Sequence, residues 1–288
     1  MTDIKPILGN FGADIIGVDL NTITDADFEL IYQAWLDHGV LRICGQQLDE
    51  DGLQQFSERF GPLEEMPYGR LSEELKKKIK NIYVTVISNI IENGRPIGGL
   101  GSSEATWHSD MTYVEMPPPA SVLLGVEIPQ AGGDTWFADQ YAAYEALPEE
   151  LKKRIENLSI KHDAAHTSVG KLRPGFESFD TPEQAPGAIH PIISTHSETG
   201  KKCVYLGRRE WACIVGLNPA TSEALLDELW QYAAMEEHVI RHQWHPGDVI
   251  IWDNRCVLHR RDDIDPKDRR LMRRCQVLQR EIEESSVA

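Results

Sequence analysis

The run Gly247-Asp-Val-Ile-Ile-Trp-Asp-Asn-Arg-Cys-Val-Leu-His259 decides the fold. Residues 249–252 are continuously apolar and mostly β-branched, with a glycine shortly before them and polar residues directly after. A run that short and well punctuated reads as a strand covered on both faces rather than as a helix. Comparable signals recur at 14–18, 40–44, 82–88, 121–127, 135–138, 158–162, 190–195, 203–206, 239–243 and 270–278. Helix signals are fewer. Thr24-Asp-Ala-Asp27 has the form of a capping box ahead of Phe28, Ile31, Trp35 and Leu36, with Gly39 as the stop. Further helices are expected at 50–60, from Asp139, from Pro148 at a first turn, and from Asn218-Pro219 to about 235. Helices and strands do not alternate as βαβ units require. The pattern therefore predicts a mainly β fold with flanking α, an antiparallel sandwich or barrel with outer helices, spanning 1–288 as a single domain. Two stretches rich in Gly, Pro and Ser, 62–106 and 164–187, fit this plan poorly and read as lids over a site.

Composition narrows the function. Of 288 residues, 46 are acidic and 29 basic, a formal net charge of −17 that repels polyanions and argues against nucleic acid or an anionic membrane as partner. Small molecules are the expected partners, and composition leaves a homo-oligomer open. No apolar stretch approaches the ~18 residues of a membrane-spanning helix. The N-terminus shows neither the basic nor the apolar region of a secretion signal. Five cysteines, odd in number and without a C-x-x-C pair, point to reduced thiols and a cytoplasmic location.

The chemistry-bearing segment opens at Trp107-His108-Ser-Asp110. In an extended chain, residues two apart share a face, so His108 and Asp110 can offer a nitrogen and a carboxylate oxygen to one metal ion. H-x-D alone is a common chance pattern, and a third ligand is needed. His259 is the strongest of the ten histidines, because the buried strand before it would hold it rigidly near the core. Two histidines and a carboxylate cover one face of an octahedral metal and leave three positions open, the donor set of non-haem Fe(II) oxygenases; zinc hydrolysis could use the same donors. Beyond His259 lies Asp268-Arg269-Arg270-Leu-Met-Arg273-Arg274. As a strand it turns Arg270, Met272 and Arg274 to one face. Two inward arginines are costly unless anions pair with them, and each can grip a carboxylate or sulfonate with two hydrogen bonds. Arg269 and Arg273, on the other face, read as a solvated basic patch.

Together these residues resemble the taurine dioxygenase family of Fe(II)/2-oxoglutarate-dependent oxygenases, which includes phenoxyalkanoate and alkylsulfate dioxygenases. The resemblance runs from Gly12-Ala-Asp-Ile-Ile-Gly-Val-Asp-Leu20 and His38-Gly-Val-Leu-Arg-Ile43, through Gly45-Gln46, Phe60-Gly61, Trp107 to Tyr113 and Gly132-Gly-Asp-Thr135. It ends at Trp252-Asp-Asn-Arg255, His259 and Arg270 to Arg274. Order and spacing make it specific where single pieces are not. It implies a double-stranded β-helix, or jelly roll, with iron held by His108, Asp110 and His259. It further implies that Arg270 and Thr135 bind the distal carboxylate of 2-oxoglutarate, and that O2 is the oxidant, with succinate and CO2 as products. On the substrate side it implies Arg274 on an acidic group and the backbone N–H of Met111. Asn89, Tyr113 and Trp211 are further pocket candidates, with Arg208 and Arg209 in a variable pocket region. The other seven histidines, His38 aside, are read as structural or surface residues.

The resemblance breaks at Met66-Pro67, where taurine dioxygenases carry a histidine before the proline that helps hold sulfonate. A thioether cannot donate to an anion, so a larger or more apolar acid, such as an aryloxyalkanoate or alkyl sulfate, is favoured over taurine. The competing reading is a catalytically silent jelly-roll module that binds metal and 2-oxoglutarate as a sensor. Zinc hydrolysis is disfavoured because no carboxylate base stands beside the ligands.

Overall fold

The computed structural model describes residues 2–66, 76, 79–103 and 105–279. A major sheet orders its strands Asp3–Leu8, Phe11–Ile16, Val40–Ile43, Val249–Asp253, Ala120–Glu127, Leu271–Val277, Thr85–Ser88 and Gly99–Leu100. A minor sheet orders Val239–His242, Thr135–Asp139, Val257–Arg261 and Ala105–His108. Pairing in both is antiparallel except for Phe11–Ile16 with Val40–Ile43 and Thr85–Ser88 with Gly99–Leu100. The fold is mainly β with flanking helices, as the punctuation of the sequence predicts.

Side-chain alternation builds the layers. Ile250 and Trp252 turn inward and meet Leu123, Met272, Phe137 and Val257 in a core shared by the two sheets. Val249 and Ile251 turn outward onto Ile31, Trp35, Leu53 and Phe56. Those residues belong to helices α1 (Asp25–His38) and α2 (Glu50–Glu58). Ala138 and Leu258 on the outer face of the minor sheet pack against α3 (Gln140–Ala146), α4 (Glu149–Ile155) and α5 (Pro219–Ala233). The 249–252 run is uniformly apolar because it has a helix layer on one side and the inter-sheet core on the other.

The local signals hold in detail. Thr24 accepts a hydrogen bond from the Asp27 N–H at the start of α1, and Gly39, at φ 69°, ends it in the left-handed conformation that glycine adopts without strain. Asp139 and Asn218 cap α3 and α5.

Three readings need correction. His259 does not trail the 249–252 strand. The chain reverses at Asp253, where Cys256 N–H bonds back to the Asp253 carbonyl, and His259 sits in the middle of a strand of its own. The N-terminal strand Asp3–Leu8 is an edge strand whose Pro6 and charges hid it. The 62–106 stretch is only partly a loop, since it supplies Thr85–Ser88 and Gly99–Leu100 to the major sheet, while 67–75, 77, 78 and 104 lie outside the described residues. Segment 164–187 carries no named strand or helix. Among the described residues no helix is long and apolar enough to cross a membrane, and all five cysteines are free.

Candidate active site

A cavity of about 450 Å³ is lined from both sheets. His108 closes the strand Ala105–His108, directly across the ladder from His259, and their rings lie 4.2 Å apart. Asp110 is not extended beside His108 but sits in the turn just past the strand end. Ser109 ties that turn down by donating to the carbonyls of Asn254 (2.7 Å) and Val257 (2.9 Å) on the His259 hairpin. Asp110 Oδ1 then stands 3.9 Å from His108 Nε2 and 4.0 Å from His259 Nε2. The three donor atoms lie within 4.8 Å of one another, room for one ion between them.

The surroundings prepare these donors. His108 Nδ1 is 2.7 Å from the Thr106 carbonyl, which fixes the proton there and leaves the Nε2 lone pair free. The Ser121 hydroxyl donates to Asp110 Oδ2 at 2.8 Å, leaving Oδ1 for the centre. Ser121 is itself held by Asn254 Nδ2 (3.1 Å), and Asn254 by the Trp252 indole (2.8 Å). Burial works against ionising Asp110. Arg274, at 3.3 Å, the two histidines and Ser121 outweigh it and hold the carboxyl far below the ordinary range. Burial also pushes both histidines down, His259 to about 3 with help from His108 and Arg274, so the imidazoles stay neutral at physiological pH. One carboxylate and two neutral imidazoles are the protonation states a divalent metal requires, and these residues fit one.

Arg270 lies on the same cavity, 2% exposed, with its Nε unpartnered and, among the described residues, no ion pair. Its backbone is anchored at both ends, N–H to Asn89 Oδ1 and carbonyl to the Ser88 hydroxyl. Burial and the neighbouring Arg261 push the guanidinium down to about 9, the mark of a buried charge awaiting an anion. Thr135 also lines the cavity. The Trp244 indole donates to its oxygen at 2.9 Å, so the hydroxyl proton is free to be given elsewhere. Gly133, at φ 69°, lets the turn approach: a Cβ there would meet Arg270 Nε at 3.3 Å.

The remaining expected contacts divide. Arg274, Met111 and Tyr113 line the cavity. Asn89 does not; it braces Arg270 from behind, donating to the Asp268 carbonyl and Ser102. Trp211 also stands behind the wall, stacked on His166 at 4.8 Å. Arg209 is spent in ion pairs with Glu223 and Asp227, whereas Arg208 lines the cavity. Arg269 and Arg273 are not a free basic patch, since they pair with Glu127 and Glu50. Sequence reasoning missed Ser121, Asn254 and Arg261, and it set aside His162, which lines the cavity. A second cluster, His196, Asp253 and Cys256, closes on itself. Asp253 is taken up by His196 (3.0 Å) and Arg255 (2.7 Å) and pins the turn before His259.

The profile of the Taurine catabolism dioxygenase TauD, TfdA family matches residues 3–276. The chain belongs to this family. A relative from Sphingobium herbicidovorans, an (S)-phenoxypropionate/alpha-ketoglutarate-dioxygenase, is 34% identical over 94% of this chain and 92% of its own. An alkylsulfatase from Acinetobacter baylyi is 32% identical, covering 89% and 78%. Among solved structures, AAD-2 in complex with Mn(II) and N-oxalylglycine superposes with a TM-score of 0.78 at 26% identity, over 98% of both chains. In this chain the His108, Asp110 and His259 cluster and Arg270 line one cavity.

Proposed function

We propose that the chain is an Fe(II)/2-oxoglutarate-dependent dioxygenase that hydroxylates a small anionic organic substrate, with its two sheets forming a double-stranded β-helix and the whole chain one catalytic unit. One observation carries the reading: a buried, unpaired Arg270 beside Thr135 shares a cavity with a His-Asp-His donor set. A dicarboxylate reaching from metal to guanidinium answers both at once.

In this reading His108, Asp110 and His259 hold the ion. A ferrous ion there supplies the redox chemistry that couples oxidative decarboxylation of 2-oxoglutarate to substrate oxidation. O2 would be the oxidant, one atom going to succinate as CO2 leaves and the other to the product hydroxyl. The protein's part is positioning and exclusion of water. Arg270 takes the distal carboxylate by two hydrogen bonds, and Thr135 gives it the proton that Trp244 leaves free. Ser121 and Arg274 keep Asp110 ionised and oriented. Trp252, 4.7 Å from the His259 ring, seals the floor. Met111 and Tyr113 line the same cavity and are the residues assigned to the substrate. The names of the relatives place aryloxyalkanoates and alkyl sulfates first among acids to try.

The test is succinate release with Fe(II), ascorbate, 2-oxoglutarate and a library of sulfonates, sulfate esters and aryloxy acids. Release stimulated by one of these acids, and lost in both His108→Ala and Asp110→Ala, is expected. Stimulated release that survives Asp110→Ala contradicts the reading, and 2-oxoglutarate binding without turnover for any acid favours a sensor.

A further inference from the structure

We infer that Arg261 is a positioning residue for the cosubstrate: it ties segment 101–103 across the end of the cavity and adds a second positive charge behind the seat of the distal carboxylate. The inference rests on the dioxygenase reading for what that seat holds, and on different residues for its own content.

Strand register brings Arg261 to this corner. It lies directly across the ladder from Thr135 and two residues beyond His259 on the same strand, so its side chain leaves the sheet on the face that theirs do. Arg270 reaches the same cavity from the approach to the major sheet, and Arg261 is near enough to disfavour its charge.

The fork of Arg261 is occupied by backbone and not by an acid. One terminal nitrogen donates to the Gly101 carbonyl at 3.0 Å and the other to that of Ser103. Ser102, between them, is fastened as well, its carbonyl accepting from the Ile264 N–H (3.0 Å) and its hydroxyl from Asn89 Nδ2 (3.1 Å). Asn89 also accepts from the Arg270 N–H at 2.9 Å, so one stretch of chain fixes both arginines. Leu100, next along and lining the cavity, holds φ 69°, a strained conformation that persists only where its surroundings enforce it.

Fastening two carbonyls needs no charge, and a neutral amide would do it without the cost of burying one. Arg261 is nevertheless 7% exposed, with its Nε unpartnered. Among the described residues it has no ion pair, and Asp263, which offsets it in part, is exposed. Asp134 offsets Arg270 in part but already accepts from Arg241 Nε at 2.7 Å. Two like charges thus share a corner with too little acid to match them, which costs stability until an anion enters. The carboxylate that bonds to Arg270 and Thr135 is held by the field of Arg261 too.

Binding is measured by calorimetry on Mn(II)-loaded protein without oxygen, with 2-oxoglutarate and with 2-oxopentanoate, which carries the same keto acid but ends in a methyl group. The ratio of the two affinities reads the distal seat alone. Arg261→Gln, which keeps donors for the carbonyls but no charge, is expected to lower that ratio about tenfold, with 2-oxopentanoate and Mn(II) affinities changed less than about twofold. Arg261→Lys keeps the charge and should hold the ratio within about threefold of the unmodified protein. Arg261→Met, also neutral, gives the same reading where the amide variant does not fold. A ratio unchanged in the neutral variants, or both ligands weakened alike, makes Arg261 a structural clamp and overturns the proposal. So does a ratio that falls as far in Arg261→Lys as in Arg261→Gln. Unmodified protein that binds no 2-oxoglutarate, or binds it no better than 2-oxopentanoate, overturns the dioxygenase reading itself.

Discussion

Arg270 is a positive charge buried with no ion pair among the described residues, only the more distant Asp134 offsetting it in part, and it must cost the ligand-free protein stability. Arg270→Met, similar in length and apolar, should raise ligand-free stability by about 1–2 kcal/mol. It should also abolish the stabilisation that 2-oxoglutarate confers on the Mn(II)-loaded protein; thermal melts with and without cosubstrate check both. An unchanged cosubstrate shift would remove Arg270 from the site. His162 gives a pH test. Burial, with His190 and Arg208, pushes it from 6.5 down to about 3, so between those values the unfolded chain carries a proton that the folded chain lacks. Stability must fall on acidification through that window, by up to about 1.4 kcal/mol per pH unit from this residue. His162→Gln should flatten the dependence of the urea midpoint between pH 6.5 and 5; an equally steep profile contradicts the assignment. The arginine pair and the H-x-D motif were legible because chemistry and spacing coincide within a few residues. Ser121 and Asn254 were not, because they meet Asp110 only after Ala120–Glu127 pairs with Val249–Asp253.

At the scale of elements, the turn before Thr135–Asp139 is where backbone geometry bears most directly on chemistry. Gly133 holds φ 69°, and a Cβ there would lie 3.1 Å from Ile264 and 3.3 Å from Arg270 Nε. Gly133→Ala should strain the turn and shift the guanidinium, weakening 2-oxoglutarate about tenfold while Mn(II) affinity holds. Equal loss of both would mean the turn supports the metal centre as well. In the sequence, Gly132-Gly-Asp-Thr135 stood out as part of the family resemblance, and two adjacent glycines mark a turn whatever else they do. Sequence reasoning did not see that His259 lies within a strand. Val257 and Leu258 are too short an apolar run to announce one, and the turn that starts it is made by Asp253 holding His196 and Arg255. Helix boundaries fared better, since Thr24, Gly39, Asp139 and Asn218 act through bonds to residues three or fewer away, or through their own backbone.

Across the whole molecule, the two sheets divide the labour. The minor sheet brings His108, His259, Thr135 and Arg261 to the cavity, and the major sheet brings Arg270 and Arg274 from one face of Leu271–Val277 and its approach. A chain of net charge −17 thus keeps a cluster of guanidiniums inside, where an anion finds few competing carboxylates. That the fold is mainly β with flanking helices was readable from the short, well-punctuated apolar runs. Segments 62–106 and 164–187 read as lids from their Gly, Pro and Ser, and both contribute lining residues, Met66 and Leu100 from one and Thr167 and Arg173 from the other. Which side chains reach the cavity was not readable, because segment 164–187 is placed by single contacts such as Arg173 on Tyr113 rather than by periodic burial. The most direct measurement is an anaerobic crystal structure with Mn(II) and 2-oxoglutarate. The account predicts one ion bonded to His108 Nε2, Asp110 Oδ1 and His259 Nε2, with the distal carboxylate on Arg270 and Thr135. An ion that leaves His259 unbound, or a cosubstrate turned away from Arg270, would contradict it.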